Sequence, residues 1–301
     1  MSEEASSYEA YMGLIDLLTE FGWPTWPPNA GEVPDSSGWW LDEVRVKSER
    51  GIIPNVYMIS LDGCPKSGKS VVTSLLVDKL TAAIGSSGWR VVLVEDPPIV
   101  KFHDDFVYFT FQGGWAGTNA AISLELDWMS ALYLQEYKYR WWSSHIQEIL
   151  IPGRVNEKQI IIGNRGVLDG LVFSYAITSH IGSSRFEIPL DYRAFSSNVM
   201  IPTLAGLQAL VKYFNAIVFL GIPYEEAVKR RKEEGKKLAG WVTSCPEFYR
   251  DLSTWYGYVA STVLPKYHDI HGTGYMVLDG MNSAEHNSWM LYEYILELIT
   301  L

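Results

Sequence analysis

The chain has 301 residues, of which 48% are hydrophobic and 20% are charged, and its formal net charge is −11. This length can bury one sizeable α/β core with a small appendage, while the acidic balance argues against a surface built for long stretches of phosphate backbone. Two cysteines, no basic-then-apolar leader and no apolar run near ~18 residues predict a soluble, intracellular, cytoplasmic protein with no membrane partner.

Residues 1–50 form a predicted extension that docks on a main domain of residues 51–301. Apolar side chains recur at helical spacing over residues 8–22, which predicts an amphipathic helix; they are Tyr8, Tyr11, Met12, Ile15, Leu18 and Phe21. A stretch rich in Trp, Pro, Gly and Ser follows as far as Gly38, and it indicates an irregular connector.

From about residue 54, short runs rich in Val and Ile alternate with helical stretches. Runs without strict alternation are typical of strands that are buried on both faces. The sequence therefore predicts an α/β fold, a five-stranded parallel sheet between two layers of helices. The predicted strands are Val56–Leu61, Val91–Val94, Ile160–Ile162, Ala216–Leu220 and Tyr275–Leu278.

A glycine-bounded loop, Gly63–Ser70, follows the first predicted strand; it is the candidate phosphate loop. An apolar, helix-like stretch begins at Val71. This order forms a cradle for phosphate, because the loop N–H groups point inward and the helix dipole favours negative charge. Lys69 is expected to reach the β- and γ-phosphates, and Ser70 to bind Mg²⁺. The predicted cofactors are thus ATP and Mg²⁺, and the predicted binding residues are Gly63, Pro65, Lys66, Ser67, Gly68, Lys69, Ser70 and Val71.

Polar groups follow the other predicted strands, at the carboxyl ends where parallel sheets bind their ligands. Glu95 and Asp96 follow the second strand, Asn164 and Arg165 follow the third, and a basic run over residues 229–237 follows the fourth. Each has a structural alternative: a turn cap for the acids, a salt bridge for the arginine and a solvated helix face for the basic run.

Over roughly residues 54–301, the chain resembles the thymidylate kinase family and its relatives, the deoxynucleoside kinases. Beside the phosphate loop, the resemblance rests on His145–Pro152, Gln159–Arg165, Phe173–Ala176, Phe219–Arg231, Pro246–Tyr249 and Val277–Gly280. The loop motif is specific by itself. The other segments are individually weak, and they support the resemblance through their order along the chain. The resemblance implies a P-loop kinase fold and transfer of the γ-phosphate of ATP to a nucleotide or nucleoside acceptor.

The resemblance also implies a role for each matching residue. Arg165 would hold the acceptor, and Lys66 matches a basic loop residue of some thymidylate kinases. The basic run would be a lid whose cations neutralise the transferring phosphoryl group, namely Arg230, Arg231, Lys236 and Lys237. The expected catalytic set is Lys69, Glu95, Asp96, Arg165, Arg230 and Arg231, with Lys236 among the nucleotide-binding residues. Because such kinases are often dimers, a homodimer is one expected assembly.

Four positions depart from the family pattern, and most of them concern the acceptor. Asn164 replaces an acid, so support for the metal is expected to fall to Asp62, Glu95 or Asp96. Pro65 replaces an acid that contacts the sugar, Trp142 replaces a base-contacting arginine, and Asp96 precedes Pro97 where Glu-Pro is usual. Trp141 and Trp142 are expected to offer flat surfaces for a base, although core filling is the more frequent role of tryptophan.

Three hypotheses of function follow. The first is a kinase of nucleoside monophosphates, with pyrimidine deoxynucleotides as the expected class. The second is a kinase of a hydroxyl, on a nucleoside or on a modified base in DNA, for which Glu95 or Asp96 would be the general base. Nucleic acid is the less favoured acceptor because of the net charge of −11. The third is a regulatory nucleotide-binding protein without catalysis, which Asn164 would favour and the intact Lys69 and Ser70 oppose.

Overall fold

Six strands form one sheet in a computed structural model of the chain, which describes residues 3–26, 28, 38–41, 43–49, 53–95, 135, 138–150, 157–183, 200–233 and 247–299. The strand order is β1-β6-β5-β2-β4-β3, and every pair is parallel except β1 with β6. The strands are β1 (Val44–Val46), β2 (Val56–Gly63), β3 (Trp89–Val94), β4 (Lys158–Asn164), β5 (Ala216–Gly221) and β6 (Gly274–Asp279).

The sheet confirms the five predicted parallel strands and adds β1, which the sequence pattern did not predict. Three residues are too few to show a period, and β1 is an edge strand with two exposed side chains. Its position is set by pairing, since Val44 lies opposite Val277. The Tyr294 hydroxyl donates to the Val46 carbonyl across 2.7 Å, and Arg45 forms an ion pair with Glu297.

Helices cover both faces of the sheet, as the α/β prediction requires. One face packs against α2 (Lys69–Ile84) and α9 (Ala284–Ile299), and the apolar side chains of β2 that point there are Ile59 and Leu61. The other helices are α1 (Glu3–Glu20), α3 (residues 138–149), α4 (Val167–Ser183), α5 (Ile201–Val211), α6 (Tyr224–Glu233), α7 (Glu247–Tyr258) and α8 (Leu264–His271), with a π-helical turn (Val259–Val263) between the last two.

The predicted N-terminal helix is present but shifted: α1 begins at Glu3 and ends at Glu20. Gly22 follows with φ of 81°, a left-handed conformation that suits glycine after a helix end. Ile15 and Leu18 are buried, and α1 packs on α5. No helix in the described part of the chain is both long and apolar enough to cross a membrane.

Most described tryptophans fill space between elements. Trp23 and Trp26 are buried and pack on Tyr175, whose hydroxyl donates to the Pro24 carbonyl. Trp39 donates its indole N–H to the Ser253 carbonyl, and both Trp39 and Trp40 lie against Gly221 at the end of β5. The tryptophans near the N-terminus thus attach the predicted extension to the sheet and to the helices beside it.

Candidate functional site

The glycine-bounded loop begins at Gly63, where β2 ends beside β5. Gly63 has φ of 127°, and a Cβ there would lie 2.6 Å from the Leu220 nitrogen. The next residue, Cys64, donates its N–H to the Leu220 carbonyl across 3.0 Å. Only glycine meets both the left-handed angle and this close approach, so the first glycine of the loop is required by local geometry.

The loop then turns into α2 through two further left-handed residues. Lys66 has φ of 66° and Gly68 has φ of 94°, and Gly68 is the N-cap of α2. Left-handed and right-handed angles in succession turn N–H groups toward one side, which creates a concave site for an anion at a helix N-terminus. The Val71 N–H donates back to the Gly68 carbonyl, and the Val71 side chain is 57% exposed.

Lys69 lies inside this concave loop. Its Nζ donates to the carbonyls of Gly63, across 2.6 Å, and of Cys64, across 2.7 Å. The side chain is buried, and burial lowers the pKa of its ammonium from 10.5 to about 8; Asp169 opposes this shift and the charge of Arg165 adds to it. The Lys69 ammonium therefore lies on the concave side of the loop. Phosphate oxygens could replace the two carbonyls there as its hydrogen-bond acceptors.

A Mg²⁺ ion would fit beside Ser70, and its neighbour there is Asn164 at the end of β4. The Asn164 amide donates to the Ser70 hydroxyl across 3.2 Å, while its buried Oδ1 accepts no hydrogen bond in the described structure. A free carbonyl oxygen beside a hydroxyl suits Mg²⁺, which prefers oxygen ligands. Within the described residues, no cluster of three or more His, Cys, Asp or Glu could hold a metal ion.

The carboxylate of Asp62, a predicted metal ligand, is occupied by hydrogen bonds from other protein groups. The side chain is fully buried, and its carboxylate accepts hydrogen bonds from the Ser60 hydroxyl and from the N–H groups of Gly166 and Asp169. Burial and the charge of Asp169 raise the pKa of Asp62 from 3.8 to about 7. Oδ1 thus fastens the start of α4 to β2, Oδ2 is engaged by Ser60 on the same strand, and Asn164 takes the position beside Ser70.

Asp169 is a site residue that the motifs did not reveal. One carboxylate oxygen accepts the Gly63 N–H across 3.3 Å and also the Tyr256 hydroxyl. Tyr256 is buried on α7, so this oxygen connects the phosphate loop with two helices. An acidic residue in the first turn of a helix was the available signal, but its ordinary explanation is the helix dipole.

Arg165 lies in the turn between β4 and α4, next to the loop. Its backbone is left-handed, with φ of 70°, and its N–H donates to the Leu61 carbonyl across 2.9 Å. The Arg165 carbonyl accepts the Trp142 indole N–H at 3.4 Å. Trp142 is buried against Gly163 and Phe214, so the expectation that it stacks on a base is wrong. Trp141 is partly buried and packs on His145.

Arg230, predicted in the lid, contacts the phosphate loop from outside. Its guanidinium donates to the Lys66 carbonyl at 3.2 Å and to the Gly280 carbonyl at 3.3 Å, and it pairs with Glu226. In this arrangement Arg230 braces the loop against the turn after β6. Arg231 lies partly buried on the same helix.

Several predicted residues lie away from the loop or outside the described residues. Glu95 is exposed at the end of β3, two strands from β2, which is about 10 Å across the sheet. Asp96, Lys236 and Lys237 fall outside the described residues. Pro65 is partly buried and Ser67 is buried within the loop.

A thymidylate kinase is among the solved structures that the chain resembles. That of Ehrlichia chaffeensis shares 12% of residues, with 81% of this chain and 99% of that chain covered and a TM-score of 0.39. No protein-family model matches the sequence, and no curated protein matches it. A likeness with so few identical residues and this TM-score gives no information about the activity of this chain.

Proposed function

We propose that the protein is an ATP-dependent phosphotransferase that phosphorylates a nucleoside monophosphate, with pyrimidine deoxynucleotides as the expected class. The observation that carries the proposal is Lys69: a buried ammonium lies inside a glycine-bounded loop at a helix N-terminus. Such a loop binds and orients a polyphosphate, and a cation within it stabilises the charge of a transferring phosphoryl group.

Each part of the site has a defined task in this proposal. The loop N–H groups and the start of α2 hold the β- and γ-phosphates of ATP, and Lys69 moves from its carbonyl partners to them. Ser70 and Asn164 would hold Mg²⁺, which supplies neutralisation of phosphate charge when bound. Arg165, on the neighbouring strand end, holds the acceptor. A phosphate acceptor is already ionised at neutral pH, so no general base is required.

A hydroxyl acceptor is the second candidate, and Glu95 is the observation that favours it. Glu95 is an exposed carboxylate at the carboxyl end of β3, on the Arg165 side of the phosphate loop. On a nucleoside or a modified base in DNA, it could accept the hydroxyl proton as a general base. The two candidates differ in product, because the first yields a diphosphate and the second a monophosphate or phosphorylated DNA.

The test is transfer from γ-labelled ATP with Mg²⁺ to a panel of nucleosides, nucleoside monophosphates and oligonucleotides. Labelled diphosphate supports the first candidate, and labelled monophosphate or DNA supports the second. ATP binding without transfer to any acceptor would contradict both. Lys69→Ala should abolish transfer without unfolding the protein. Lys79→Ala is the matched control, because Lys79 lies on the same helix and donates to Ser288 away from the loop.

A further inference from the structure

Trp39 belongs to the N-terminal extension, yet its contacts lie beside the phosphate loop. Its indole N–H donates to the Ser253 carbonyl on α7 across 3.0 Å. Its ring packs edge-on against Phe219 of β5, with the centroids 6.2 Å apart, and against Trp40. Both tryptophans also lie against Gly221, where an added Cβ would come 2.8 Å from the Trp39 ring. The pair therefore covers the carboxyl end of β5, next to the strand from which the loop starts.

One connection runs through Phe219 to the first residue of the loop. Phe219 is buried and packs edge-on against Tyr256 of α7, with the centroids 5.5 Å apart. The Tyr256 hydroxyl donates to the Asp169 carboxylate, which accepts the Gly63 N–H. Close-packed side chains have few alternative positions, so the Trp39 ring limits where Phe219 and Tyr256 can lie.

A second connection runs through Ser253, which lies about one turn before Tyr256 on the same helix. The Cys64 thiol donates to the Ser253 hydroxyl across 3.8 Å, while the Ser253 carbonyl is the acceptor for Trp39. Cys64 is the second residue of the loop, and its own carbonyl accepts the Lys69 ammonium. The Trp39 indole and the loop are therefore attached to the same turn of α7.

A third connection starts at Gly221 and reaches the middle of the loop. The Gly221 carbonyl accepts the Gly280 N–H across 2.8 Å, in the turn after β6. Gly280 lies against the Ser67 carbonyl, because a Cβ on Gly280 would come 3.0 Å from that oxygen. Arg230 donates both to the Gly280 carbonyl and to the Lys66 carbonyl. The strand end under the two tryptophans therefore supports the loop from its other side.

We propose that Trp39 is a positioning residue for the phosphate loop, through which docking of the N-terminal extension and nucleotide binding are coupled. The three connections reach the loop at Gly63, at Cys64 and at Lys66–Ser67. A nucleotide that requires this loop shape binds the docked form more tightly, so it must favour docking by the same factor. The inference rests on the proposed function in that the loop binds ATP, and it adds a role for the extension.

The experiment is calorimetric titration of the full chain and its variants with Mg²⁺ and the β,γ-imido analogue of ATP, which is not hydrolysed. Trp39→Phe removes the donor to Ser253 and shortens the ring. It should weaken analogue binding at least about fivefold, the lower end of the usual range for coupled sites. Trp23→Phe is the matched control, because Trp23 lies in the same extension and donates to Gln208 and Tyr267, away from the loop. Its affinity should stay within about twofold of the parent value.

Thermal unfolding separates positioning from a general loss of stability. Both variants lose indole hydrogen bonds, so both should unfold at a lower temperature than the parent. Only Trp39→Phe should also lose affinity for the analogue. Parent-like affinity of Trp39→Phe, or equal weakening in Trp23→Phe, would overturn the inference.

Hydrogen exchange measures the coupling from the side of the extension. The Leu41 N–H donates to the Gly38 carbonyl in the turn that carries both tryptophans, so its exchange reports docking of this turn. Because coupling is reciprocal, the analogue should slow exchange of the Leu41 amide, followed by NMR, at least about fivefold in the parent. Amides of α1 should not respond, since that helix packs on α5. A Leu41 amide that exchanges equally fast with and without the analogue would show that docking and binding are independent.

The transfer assay keeps the inference separate from the proposed function, because the titrations contain no acceptor. If the parent phosphorylates an acceptor and Trp39→Phe binds the analogue as the parent does, the inference fails and the proposed function stands. If Trp39→Phe binds more weakly and neither protein phosphorylates any acceptor, the inference stands and the proposed function fails. A parent chain that does not bind the analogue would overturn both.

Discussion

The carboxylate of Asp169 and the backbone N–H of Gly63 meet across 3.3 Å, under the first residue of the phosphate loop. The Tyr256 hydroxyl donates to the same oxygen from α7. The start of the loop is therefore held in place by the Asp169 side chain, which is far from it in the sequence. Anything that moves Asp169 should also move the backbone at the start of this loop.

Tyr256→Phe removes one of the two donors to this Asp169 oxygen. We expect a loss of about 1–3 kcal/mol in the free energy of unfolding, because a buried carboxylate loses a partner. We also expect a KM for ATP several-fold higher, since the Gly63 end of the loop is held less firmly. Steady-state kinetics and urea unfolding measure the two effects.

Tyr258→Phe is the control for this prediction. Tyr258 donates to the Gly22 carbonyl, at the end of α1, and so lies outside the loop network. This variant should lose stability without a change in the KM for ATP. Equal KM values for Tyr256→Phe and the parent would show that Asp169 holds the loop without its tyrosine.

Asp62 should make the stability of the protein depend on pH. Its pKa is raised to about 7 in the folded state from 3.8, so the folded protein retains a proton that the unfolded chain releases. The stabilisation is complete below about pH 4 and is lost as the pH rises toward 7, with a slope of at most about 1.4 kcal/mol per pH unit.

Asp62→Asn should remove this slope, because an amide does not titrate and can still accept the Gly166 N–H. Urea unfolding at pH 5 and pH 7 tests the difference between the two proteins. The range avoids the titration of Lys69, because its lowered pKa of about 8 makes its contribution to stability vary with pH only above about pH 8. Identical slopes in parent and variant would mean that another group holds the proton.

The contact between Asn164 and Ser70 predicts how the protein depends on Mg²⁺. Asn164→Leu removes an oxygen next to the proposed metal position and should raise the Mg²⁺ concentration for half-maximal transfer about 10–100-fold. Asn164→Asp keeps Oδ1, replaces the amide nitrogen with a second oxygen and adds negative charge, so it should lower that concentration. A Mg²⁺ titration of transfer measures both, and an unchanged requirement in Asn164→Leu would exclude this residue from the metal site.

Gly63→Ala tests the fit between the loop and β5. The added Cβ would collide with the backbone of Leu220 and would also require a left-handed alanine. We expect a loss of several kcal/mol in the free energy of unfolding. Gly13→Ala is the control, since its added Cβ would meet nothing within 4 Å beyond its chain neighbours and the backbone of its own helix, and alanine favours a helix. It should stabilise α1 by about 1 kcal/mol.

The features that the sequence predicted correctly have local causes. A run such as Val56–Leu61 is apolar enough to be a buried strand wherever the rest of the chain lies. The phosphate loop is equally local, because glycines at fixed positions, a lysine and a helix start lie within a dozen residues. Lys69 and Ser70 could therefore be placed in relation to each other before any contact was known.

The features that the sequence did not predict depend on distant residues. The motif gives no sign that Asp62 is covered by Gly166 and Asp169, so its carboxylate appeared available to a metal. Trp142 appeared available to a base because its contacts, Gly163 and Phe214, come from a strand and from the connection between α5 and β5, farther along the chain. Partners that tertiary packing brings together leave no periodic signal.

The pairing of β1 with β6 has a consequence for the order of folding. Val44 precedes the phosphate loop, but its partner Val277 lies near the other end of the chain. Contacts of such sequence separation form slowly, because nearly the whole polypeptide must be in place before the two strands can meet. During synthesis β1 would remain without its partner until β6 has emerged. The edge of the sheet would then be the last part of it to close.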